Sequence, residues 1–353
     1  MSRNYKLLTE NISARLNPEG VIFSKAFRDE LSAIEYSDVL VYIRTAMNGV
    51  PEEYTQKSKL AGEYVKSHLG KELSDVTYKY QGSVMTNTHI KGASDIDILV
   101  ISDKFYSWDS YGVNKILNDF SERNKYSSSQ IEKLEYETRV SSYGGDSLQD
   151  LRNNRIDSER VLSSIYSICD ISKPKCIKIK NLNLNREVDT VIASWYDSSF
   201  SIINEKGDTR GIQVYNKHEH SKGRVGYPFL SIKRINDRSS YTNGRLKKMI
   251  RFLKNLKVDS NYEIKLSSFD LNAICYDIPT SKYQNLAFYE LVVIIYNQLK
   301  SLVNDTSHSN RLKSVDETEY ILKENPEKTR HLKLILSEVE GVYSELLISR
   351  LTV

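Results

Sequence analysis

Two carboxylates separated by one residue, Asp95 and Asp97, have a spacing typical of residues that bind a metal ion together. Because successive side chains of a strand point to opposite faces, both would lie on one face of a strand. Two carboxylates this close repel each other, and a cation between them removes the repulsion. Oxygen ligands suit Mg2+, with Mn2+ as a substitute, and Mg2+ commonly binds one or two carboxylates together with substrate phosphates. The pattern predicts a magnesium site, and two aspartates on a solvated sheet face are the ordinary alternative.

The neighbouring residues favour the metal site. The segment from Gln81 to Ile101 reads QGSVMTNTHIKGASDIDILVI, and Gly82 and Ser83 follow an alternating strand pattern. A glycine-serine turn can bring backbone N–H groups and a hydroxyl to phosphate oxygens. The apolar run after Asp97 indicates a buried strand with the carboxylates at its beginning. We therefore predict a phosphate-binding turn beside a metal site.

A third acidic residue lies in another predicted strand. Residues 176–193 alternate as two neighbouring strands joined by a turn at 181–185. Asp189 would share its strand face with Val191, which is unusual for an aspartate. It is either a loop-edge residue or a third carboxylate of the metal site. Asp170, which follows a helix pattern, is the rival for that role.

The pattern GRLKKMIRFLKNLK at residues 244–257 predicts a helix with an apolar stripe and a basic stripe. Lys247, Arg251 and Lys254 share the basic face at spacings of four and three. That face is either solvated or lines a cleft in which the cations meet a triphosphate. Lys248 would point away from it.

The spacing of Gly-Ser and Asp-x-Asp, with eleven residues between them, resembles the signature of the polymerase-beta-like nucleotidyltransferases. With REVDTVIAS, the basic helix and LSSFDLNAICYDI, the chain is similar to the cGAS-like and bacterial CD-NTase branch, to which oligoadenylate synthetase is related. The resemblance covers about residues 24–300. It implies an α+β fold with a mixed sheet, a long spine helix and a C-terminal helical lobe. Residues 1–205 would form the catalytic core with an N-terminal spine helix, and residues 206–353 the mainly helical lobe that closes the active-site cleft.

The same resemblance assigns roles to individual residues. Asp95, Asp97 and Asp189 would be the catalytic carboxylates that hold two Mg2+ ions. Lys254 and Arg251 would contact the triphosphate, and Ser268 would lie near phosphate. Phe269 and Tyr241 would stack against a base, with core packing as the alternative for both. The nucleotide-binding residues would thus be Gly82, Ser83, Tyr241, Arg251, Lys254, Ser268 and Phe269.

The activity implied by the resemblance is condensation of NTPs into a cyclic or short linear oligonucleotide, with release of pyrophosphate. ATP, GTP or pyrimidine NTPs would be substrates, and the product would activate a downstream effector in bacterial defence against phage. A nucleotidyltransferase that modifies tRNA or a protein is one alternative, and a non-catalytic nucleotide- or RNA-binding module is another. Three retained carboxylates weigh against the second alternative.

An activator, either a nucleic acid or a protein, is a further implied partner. Basic residues around the predicted strands could hold a nucleic-acid backbone, although a solvated basic edge is the ordinary reading for a net charge of only +4. The residues concerned are Lys173, Lys175, Lys178, Lys180 and Arg186.

The rest of the chain sets bounds on these expectations. A length of 353 residues suits about two domains, and the sequence has no apolar run long enough for a membrane span. Three cysteines are best explained as buried free thiols in a reducing cytoplasm. The segment His218-Glu219-His220 could suggest a metal site, but its polar neighbours predict a solvated loop.

Helical spacing predicts further elements before and after the site. Residues 1–23 read as a loose or lightly structured arm, and Phe27, Leu31 and Ile34 after a Ser24 cap predict a helix. Residues 103–156 contain loop signals at 127–129 and 144–145. Residues 228–230 read as a short strand, and the last third of the chain as helical.

Overall fold

The structure is a computed structural model that describes residues 3–17, 37–92 and 95–351. Its strands are β1 (Val76–Gln81), β2 (Ile96–Trp108), β3 (Cys169–Asp170), β4 (Ile177–Asn181), β5 (Arg186–Asp197), β6 (Gly211–Asn216) and β7 (Ser221–Gly226). Its α-helices are α1 (Tyr5–Leu16), α2 (Asp38–Met47), α3 (Glu52–Leu69), α4 (Ser110–Asn118), α5 (Phe120–Arg123), α6 (Ser128–Arg139), α7 (Ser147–Ile165), α8 (Ser199–Ile203), α9 (Pro228–Tyr241), α10 (Arg245–Asp259), α11 (Ser268–Tyr276), α12 (Glu290–Asn304), α13 (Thr306–Arg311) and α14 (Pro326–Leu351). The helix expected after Ser24, with Phe27, Leu31 and Ile34, lies outside the described residues.

The chain divides into two compact units that do not follow chain order. The first contains Met1–Thr55, Thr86–Gly92 and Arg234–Val353. The second contains Gln56–Met85 and Ala93–Lys233. The division into a catalytic core of residues 1–205 and a lobe of residues 206–353 stays a prediction about function.

The second unit is built on a mixed sheet. In the described part of the chain its strand order is β1-β2-β5-β4-β3, with β6 paired to β5 and β7 to β6. The β2–β5 pair is parallel, and the other pairs are antiparallel. This arrangement, together with the many helices, confirms the α+β fold.

The two faces of β2 pack into different apolar clusters, as its alternation predicts. Ile96, Ile98 and Val100 are buried in a cluster that also contains Val65 of α3. Leu99 and its neighbours on the opposite face belong to a second cluster. The face that begins with Asp97 therefore becomes apolar toward the end of the strand.

The first unit is helical, and α10 lies in its core. Leu246, Ile250 and Leu253 have no exposed surface, which confirms the predicted apolar stripe. Each such side chain contributes about 1.5–3 kcal/mol relative to an exposed one. The described residues 37–47 and 326–351 also confirm predicted helices, because their apolar positions join the same cluster.

The beginning of the chain was predicted to be a loose or lightly structured arm, but residues 5–16 form helix α1, so that prediction was wrong for these residues. Its N-terminus is capped by Asn4, whose side chain accepts a hydrogen bond from the Leu7 N–H at 3.0 Å. Tyr5, Ile12 and Leu16 are buried. Tertiary packing of these three side chains stabilises a helix whose sequence is only weakly amphipathic.

Two other local predictions were wrong for identifiable reasons. Ser127 is the N-cap of α6 and forms a capping box with Gln130, so the loop signal at 127–129 marks a helix start. Pro228 is the first residue of α9, where a missing N–H costs nothing, so residues 228–230 are helical.

Cys169, Cys176 and Cys275 are free thiols, as expected, but only Cys275 is fully buried. Within the described ranges, no helix combines the length and apolar character needed to cross a membrane.

Candidate active site

Four charged residues form a row across the sheet of the second unit. The strand register places Asp97 of β2 opposite Asp189 of β5, and Asp189 opposite Lys178 of β4. Lys178 in turn lies opposite Asp170 of β3. Residues opposite each other in register share a sheet face. The structure thus brings Asp97 and Asp189 together, as the two strand patterns predicted.

Asp97 and Asp189 are carboxylates in an unfavourable position for negative charge. Burial and the neighbouring charges of Asp189 and Asp95 raise the pKa of Asp97 to about 6, against a smaller opposing effect of Lys178. Burial also raises the pKa of Asp189. The Asp189 Oδ1 atom is buried and has no hydrogen-bond partner among the described residues. A cation at this pair would satisfy that oxygen and lower both pKa values.

Asp95, immediately before β2, is held by a lysine. The Lys178 Nζ atom lies 2.9 Å from Asp95 Oδ2 and 2.5 Å from Glu187 Oε2. Burial lowers the pKa of Lys178, but the hydrogen bonds to Glu187 and Asp95 outweigh burial and raise it above its ordinary value. Among the described residues no three acidic, His or Cys side chains converge as ligands of one ion. Of the three aspartates, Asp95 is the one that forms an ion pair with Lys178 in this structure.

Asp170 is occupied by its own turn. Its Oδ1 atom accepts hydrogen bonds from the Ser172 N–H at 2.9 Å and the Ser172 hydroxyl at 2.6 Å. These hydrogen bonds lower the pKa of Asp170. Asp170 is also separated from Asp97 by both β5 and β4. The geometry therefore favours Asp189 over Asp170 as the third carboxylate.

Gly82 allows the turn after β1 to approach Asp97. Its φ of +87° lies in the left-handed region, which disfavours other residues. A Cβ atom at this position would overlap Asp97 Oδ2. Glycine is thus required both by the backbone conformation and by the close carboxylate. Ser83 follows in the same turn, and its contact with phosphate stays a prediction.

Arg251 and Lys254 do not lie on a solvated face of α10. They are only 7% and 6% exposed. Lys254 Nζ donates to the Thr88 carbonyl at 3.0 Å, and Arg251 donates to the Met47 and Asn87 carbonyls at 2.8 and 2.7 Å. The alternative interpretation, that these two residues lie on a solvated helix face, was therefore wrong. Their contact with a triphosphate stays a prediction. By contrast, Lys247 and Lys248 are both partly exposed, so Lys247 does not share the burial of Arg251 and Lys254. That Lys248 points away from their face stays a prediction.

The remaining nucleotide-binding candidates lie at or near helix ends of the first unit. Ser268 is exposed at the start of α11, next to its N-cap Ser267. Phe269 is 37% exposed, and Tyr241 at the end of α9 is 68% exposed. Core packing is thereby excluded for Tyr241. Stacking of either ring on a base stays a prediction.

Two other sequence-based predictions have clear outcomes. The prediction that basic residues around these strands hold a nucleic-acid activator was wrong for two of them. Lys178 is engaged by Asp95 and Glu187, and Arg186 is only 1% exposed. The His218–His220 segment is a turn between β6 and β7, as expected, and His220 Nδ1 lies 2.8 Å from the Tyr215 hydroxyl.

The sequence analysis did not predict that Lys178 forms ion pairs with Asp95 and Glu187. The available signal was the hairpin itself: the register of β4 and β5 puts Lys178 opposite Asp189 and beside Glu187. A lysine opposite an aspartate in a strand pair indicates a charge pair.

Comparison with known proteins agrees with this geometry. The family model of the cGAS/DncV-like nucleotidyltransferase C-terminal helical domain matches residues 233–343. A c-di-GMP synthase of Capnocytophaga granulosa is 54% identical over 350 residues, covering 98% of both chains. The solved structure of a STING-associated CdnE c-di-GMP synthase from Flavobacteriaceae sp. has a TM-score of 0.89 at 38% identity, and the match covers 98% of this chain and 99% of that one. The corresponding structure from Capnocytophaga granulosa has a TM-score of 0.80 at 48% identity, with 98% and 99% covered. Similarity of this level over nearly the whole length shows that this chain belongs to the cGAS/DncV-like nucleotidyltransferases, the CD-NTases.

Proposed function

We propose that this protein is a c-di-GMP synthase that joins two molecules of GTP. The observation that carries the proposal is the 54% identity, over 98% of both chains, to a c-di-GMP synthase of Capnocytophaga granulosa. The carboxylate pair Asp97 and Asp189 at neighbouring strand positions supports it, because paired carboxylates can hold the divalent cations that neutralise the triphosphate in nucleotidyl transfer.

The chemistry is two successive transfers. A ribose hydroxyl of one GTP attacks the α-phosphorus of the other, a P–O bond forms, and pyrophosphate leaves with the electrons of the broken P–O bond. The hydroxyl proton goes to a base or to solvent. The same step within the linear intermediate closes the ring and releases a second pyrophosphate. A turn such as Gly82-Ser83 can donate backbone N–H groups to phosphate oxygens.

We propose Mg2+ as the cofactor, held by Asp97, Asp189 and Asp95. The donor set fits this ion, because carboxylate oxygens are its preferred protein ligands and Asp189 Oδ1 is buried without a partner among the described residues. When bound, Mg2+ makes the attacking hydroxyl more acidic and neutralises charge on the triphosphate. Opening of the ion pair between Lys178 and Asp95 Oδ2 would free both oxygens of Asp95 for this role.

The ion pair of Lys178 gives a testable consequence for metal binding. Lys178→Gln removes the ammonium that competes with a divalent cation for Asp95. We expect Mn2+ to bind up to about tenfold more tightly, because a charge-assisted hydrogen bond is worth about 1.5 kcal/mol or more and part of it is lost to solvent at this partly exposed pair. Isothermal titration with Mn2+ in the absence of nucleotide measures this.

Lys180→Gln is the matched control for that titration. Lys180 lies on the same face of β4 and forms no ion pair within the described ranges. Its variant should bind Mn2+ as the wild type does. Equal or weaker binding by Lys178→Gln, relative to the wild type, would show that Lys178 does not compete with the ion.

Product analysis tests the proposed function directly. Purified protein is incubated with each NTP alone and with all pairs, in Mg2+ and in Mn2+, and the products are treated with phosphatase. GTP alone should give one phosphatase-resistant product with the mass and retention time of c-di-GMP. A product that requires ATP or a pyrimidine NTP would contradict the proposal, and so would label transferred to tRNA or protein.

We further propose that the product activates a nucleotide-binding effector in defence against phage. The solved relatives from Capnocytophaga granulosa and Flavobacteriaceae sp. are described as STING-associated, which supports an effector of that kind. Full turnover by the purified protein alone would show that no activator is needed.

A further inference from the structure

A cavity lies beside the β4–β5 turn of the second unit. Its volume is about 470 Å3, within the range of about 300–1,000 Å3 that is typical of pockets for small organic ligands. It is formed by the last turns of α3, the end of α7 and the turn that joins β4 to β5, all of which belong to the second unit. The residues that bring aromatic rings, amide groups or a charge to it are Tyr64, His68, Tyr166, Lys180, Asn181 and Asn183.

The cavity is separate from the carboxylates of the candidate active site. Tyr166 and Leu184, which line it, belong to the same apolar cluster as Ile96. Because successive side chains of a strand point to opposite faces, Ile96 lies on the sheet face opposite Asp97. Lys180 is next to last in β4 and lines the cavity where the turn begins. The cavity is therefore not explained by the proposed nucleotidyl transfer.

The hydroxyl of Tyr166 is a buried polar group that lacks a partner. Tyr166 is 9% exposed, and its hydroxyl has no hydrogen-bond partner among the described residues. Burial raises the pKa of Tyr166. A buried hydroxyl without a hydrogen bond is unfavourable. Since Tyr166 lines the cavity, a molecule bound there could accept the missing hydrogen bond.

The aromatic residues of the cavity suit a flat ring as ligand. The rings of His68 and Tyr166 lie 5.9 Å apart and meet edge to face, at an angle of 79°. The Tyr64 side chain is 45% exposed, so its ring has surface left for another contact. Tyrosine and histidine rings are common stacking partners of nucleobases, with a tolerance for base type. A nucleobase is thus a suitable occupant of the apolar part of the cavity.

A lysine and two amides supply the polar contacts that a nucleotide needs. Lys180 is half-buried and forms no ion pair within the described ranges, so its ammonium is available to a phosphate as a point charge. Asn181 Oδ1 accepts a hydrogen bond from the Leu184 N–H at 3.0 Å, which leaves the amide NH2 group as a donor, and Asn183 is exposed. Asparagine amides match the donors and acceptors along base edges.

The charge of the lining distinguishes a single nucleotide from a nucleic-acid strand. Lys180 is the one lysine or arginine among the described residues that line the cavity. A strand is bound along a positively charged groove that follows its backbone, whereas one ammonium suits one phosphate group. The lining therefore favours a ligand with one base and one phosphate.

We infer that this cavity is a binding site for a nucleoside monophosphate. The base stacks on the rings of His68 and Tyr64, the Tyr166 hydroxyl donates a hydrogen bond to the ligand, and Lys180 binds the phosphate. The site is additional to the nucleotide sites that the proposed function requires, and it does not rest on that function.

Titration of the full-length chain with GMP, followed by NMR of the His68 ring, tests this site. The titration is done in EDTA, so that no metal ion holds the nucleotide at the carboxylates. The His68 resonance is identified by its loss in the His68→Gln protein. GMP should shift it saturably, with a Kd below about 1 mM. Guanosine, which lacks the phosphate, and ribose 5-phosphate, which lacks the base, should each bind at least about fivefold more weakly.

Two substitutions test whether GMP occupies the cavity. Tyr166→Phe removes only the hydroxyl and should weaken GMP binding about three- to tenfold, the effect of losing one hydrogen bond. Because that hydroxyl has no partner among the described residues, the variant should be at least as stable as the wild type. Lys180→Gln should weaken binding at least about fivefold, because the phosphate loses its ammonium.

Tyr78→Phe and Lys71→Gln are the matched controls. The Tyr78 hydroxyl is also buried without a partner among the described residues, but Tyr78 does not line the cavity. Lys71 is exposed two residues after the end of α3 and does not line the cavity either. Both variants should bind GMP as the wild type does.

Three results would overturn the inference. The first is no saturable shift of the His68 ring up to about 10 mM GMP, or equal binding of guanosine. The second is unchanged GMP binding by both Tyr166→Phe and Lys180→Gln, which would show that GMP binds elsewhere. The third is a single-stranded RNA hexamer that binds more than about tenfold more tightly than GMP at the His68 ring, which would assign the cavity to RNA. None of these measurements requires turnover, so their outcome does not depend on which product the protein makes.

Discussion

Replacing Asp97 with asparagine is expected to abolish product formation and, without metal at neutral pH, to stabilise the fold. Activity should fall more than about a hundredfold at saturating GTP, since changes in residues that merely support a metal ligand already cost about 10- to 100-fold. The fold should gain stability because Asp97 is repelled by Asp189 and Asp95 and is largely buried. Asparagine has a similar shape and no charge. The measurements are GTP turnover and urea unfolding in EDTA.

The stability gain has a defined pH dependence. The folded-state pKa of Asp97 is about 6, against an ordinary value of 3.8, so between these pH values the folded state binds more protons than the unfolded state. Wild-type stability without metal therefore falls as pH rises through this range, by up to about 3 kcal/mol from this group. The difference between Asp97→Asn and the wild type should be small at about pH 4 and fully developed above about pH 6.

Asp170→Asn is the matched control on the same row of the sheet. Hydrogen bonds from Ser172 lower the pKa of Asp170, which means that they stabilise its charged form. Removing this charge should therefore not stabilise the protein at neutral pH. Its product formation should equal that of the wild type. Active Asp97→Asn protein, or a stability difference that does not grow with pH, would contradict the assignment of Asp97 to a destabilised charged pair.

The positions of Asp97 and Asp189 could be predicted from the sequence because they depend on the two-residue period of a strand. This period determines which side chains share a face, and β2 and β5 both follow it. Once both strands were predicted, Asp97 and Asp189 could be predicted to lie close together in neighbouring strands. Which way Asp95 turns could not be predicted, because its ion pair with Lys178 joins residues 83 positions apart.

The basic helix shows the limit of periodicity. The spacing of Arg251 and Lys254 correctly predicts a shared face of α10, but it does not show what covers that face. The covering segment is residues 86–92, about 160 positions away in the chain, with Asn87 and Thr88 separated from their partners by 164 and 166 residues. Helix α1 was missed for a related reason, since its buried side chains are satisfied by distant residues and its own pattern is weak.

A different aspartate, Asp197 at the far end of β5, is expected to govern stability instead of activity. It is completely buried and accepts hydrogen bonds from Arg210 at 2.8 and 3.1 Å, and Lys206 Nζ lies 3.0 Å from its Oδ2 atom. Asp197→Ala would leave both cations without this partner. Removing one member of a buried ion pair costs about 3–5 kcal/mol, and we expect the lower end because Arg210 and Lys206 are 19% and 34% exposed. The urea midpoint of unfolding measures the loss.

Asp208→Ala is the control, because Asp208 is exposed in the short 3-10 helix Gly207–Thr209, and removal of its side chain should change stability by less than about 0.5 kcal/mol. Below its unfolding temperature, the Asp197→Ala protein should still convert GTP, since Asp197 lies at the opposite end of β5 from Asp189. Asp97→Asn and Asp197→Ala would then separate the two roles: the first loses activity and gains metal-free stability, and the second loses stability and retains activity. If Asp197→Ala were as stable as Asp208→Ala, the Arg210 and Lys206 contacts would contribute little, and apolar packing of Trp195 and its neighbours would be what holds this end of the strand.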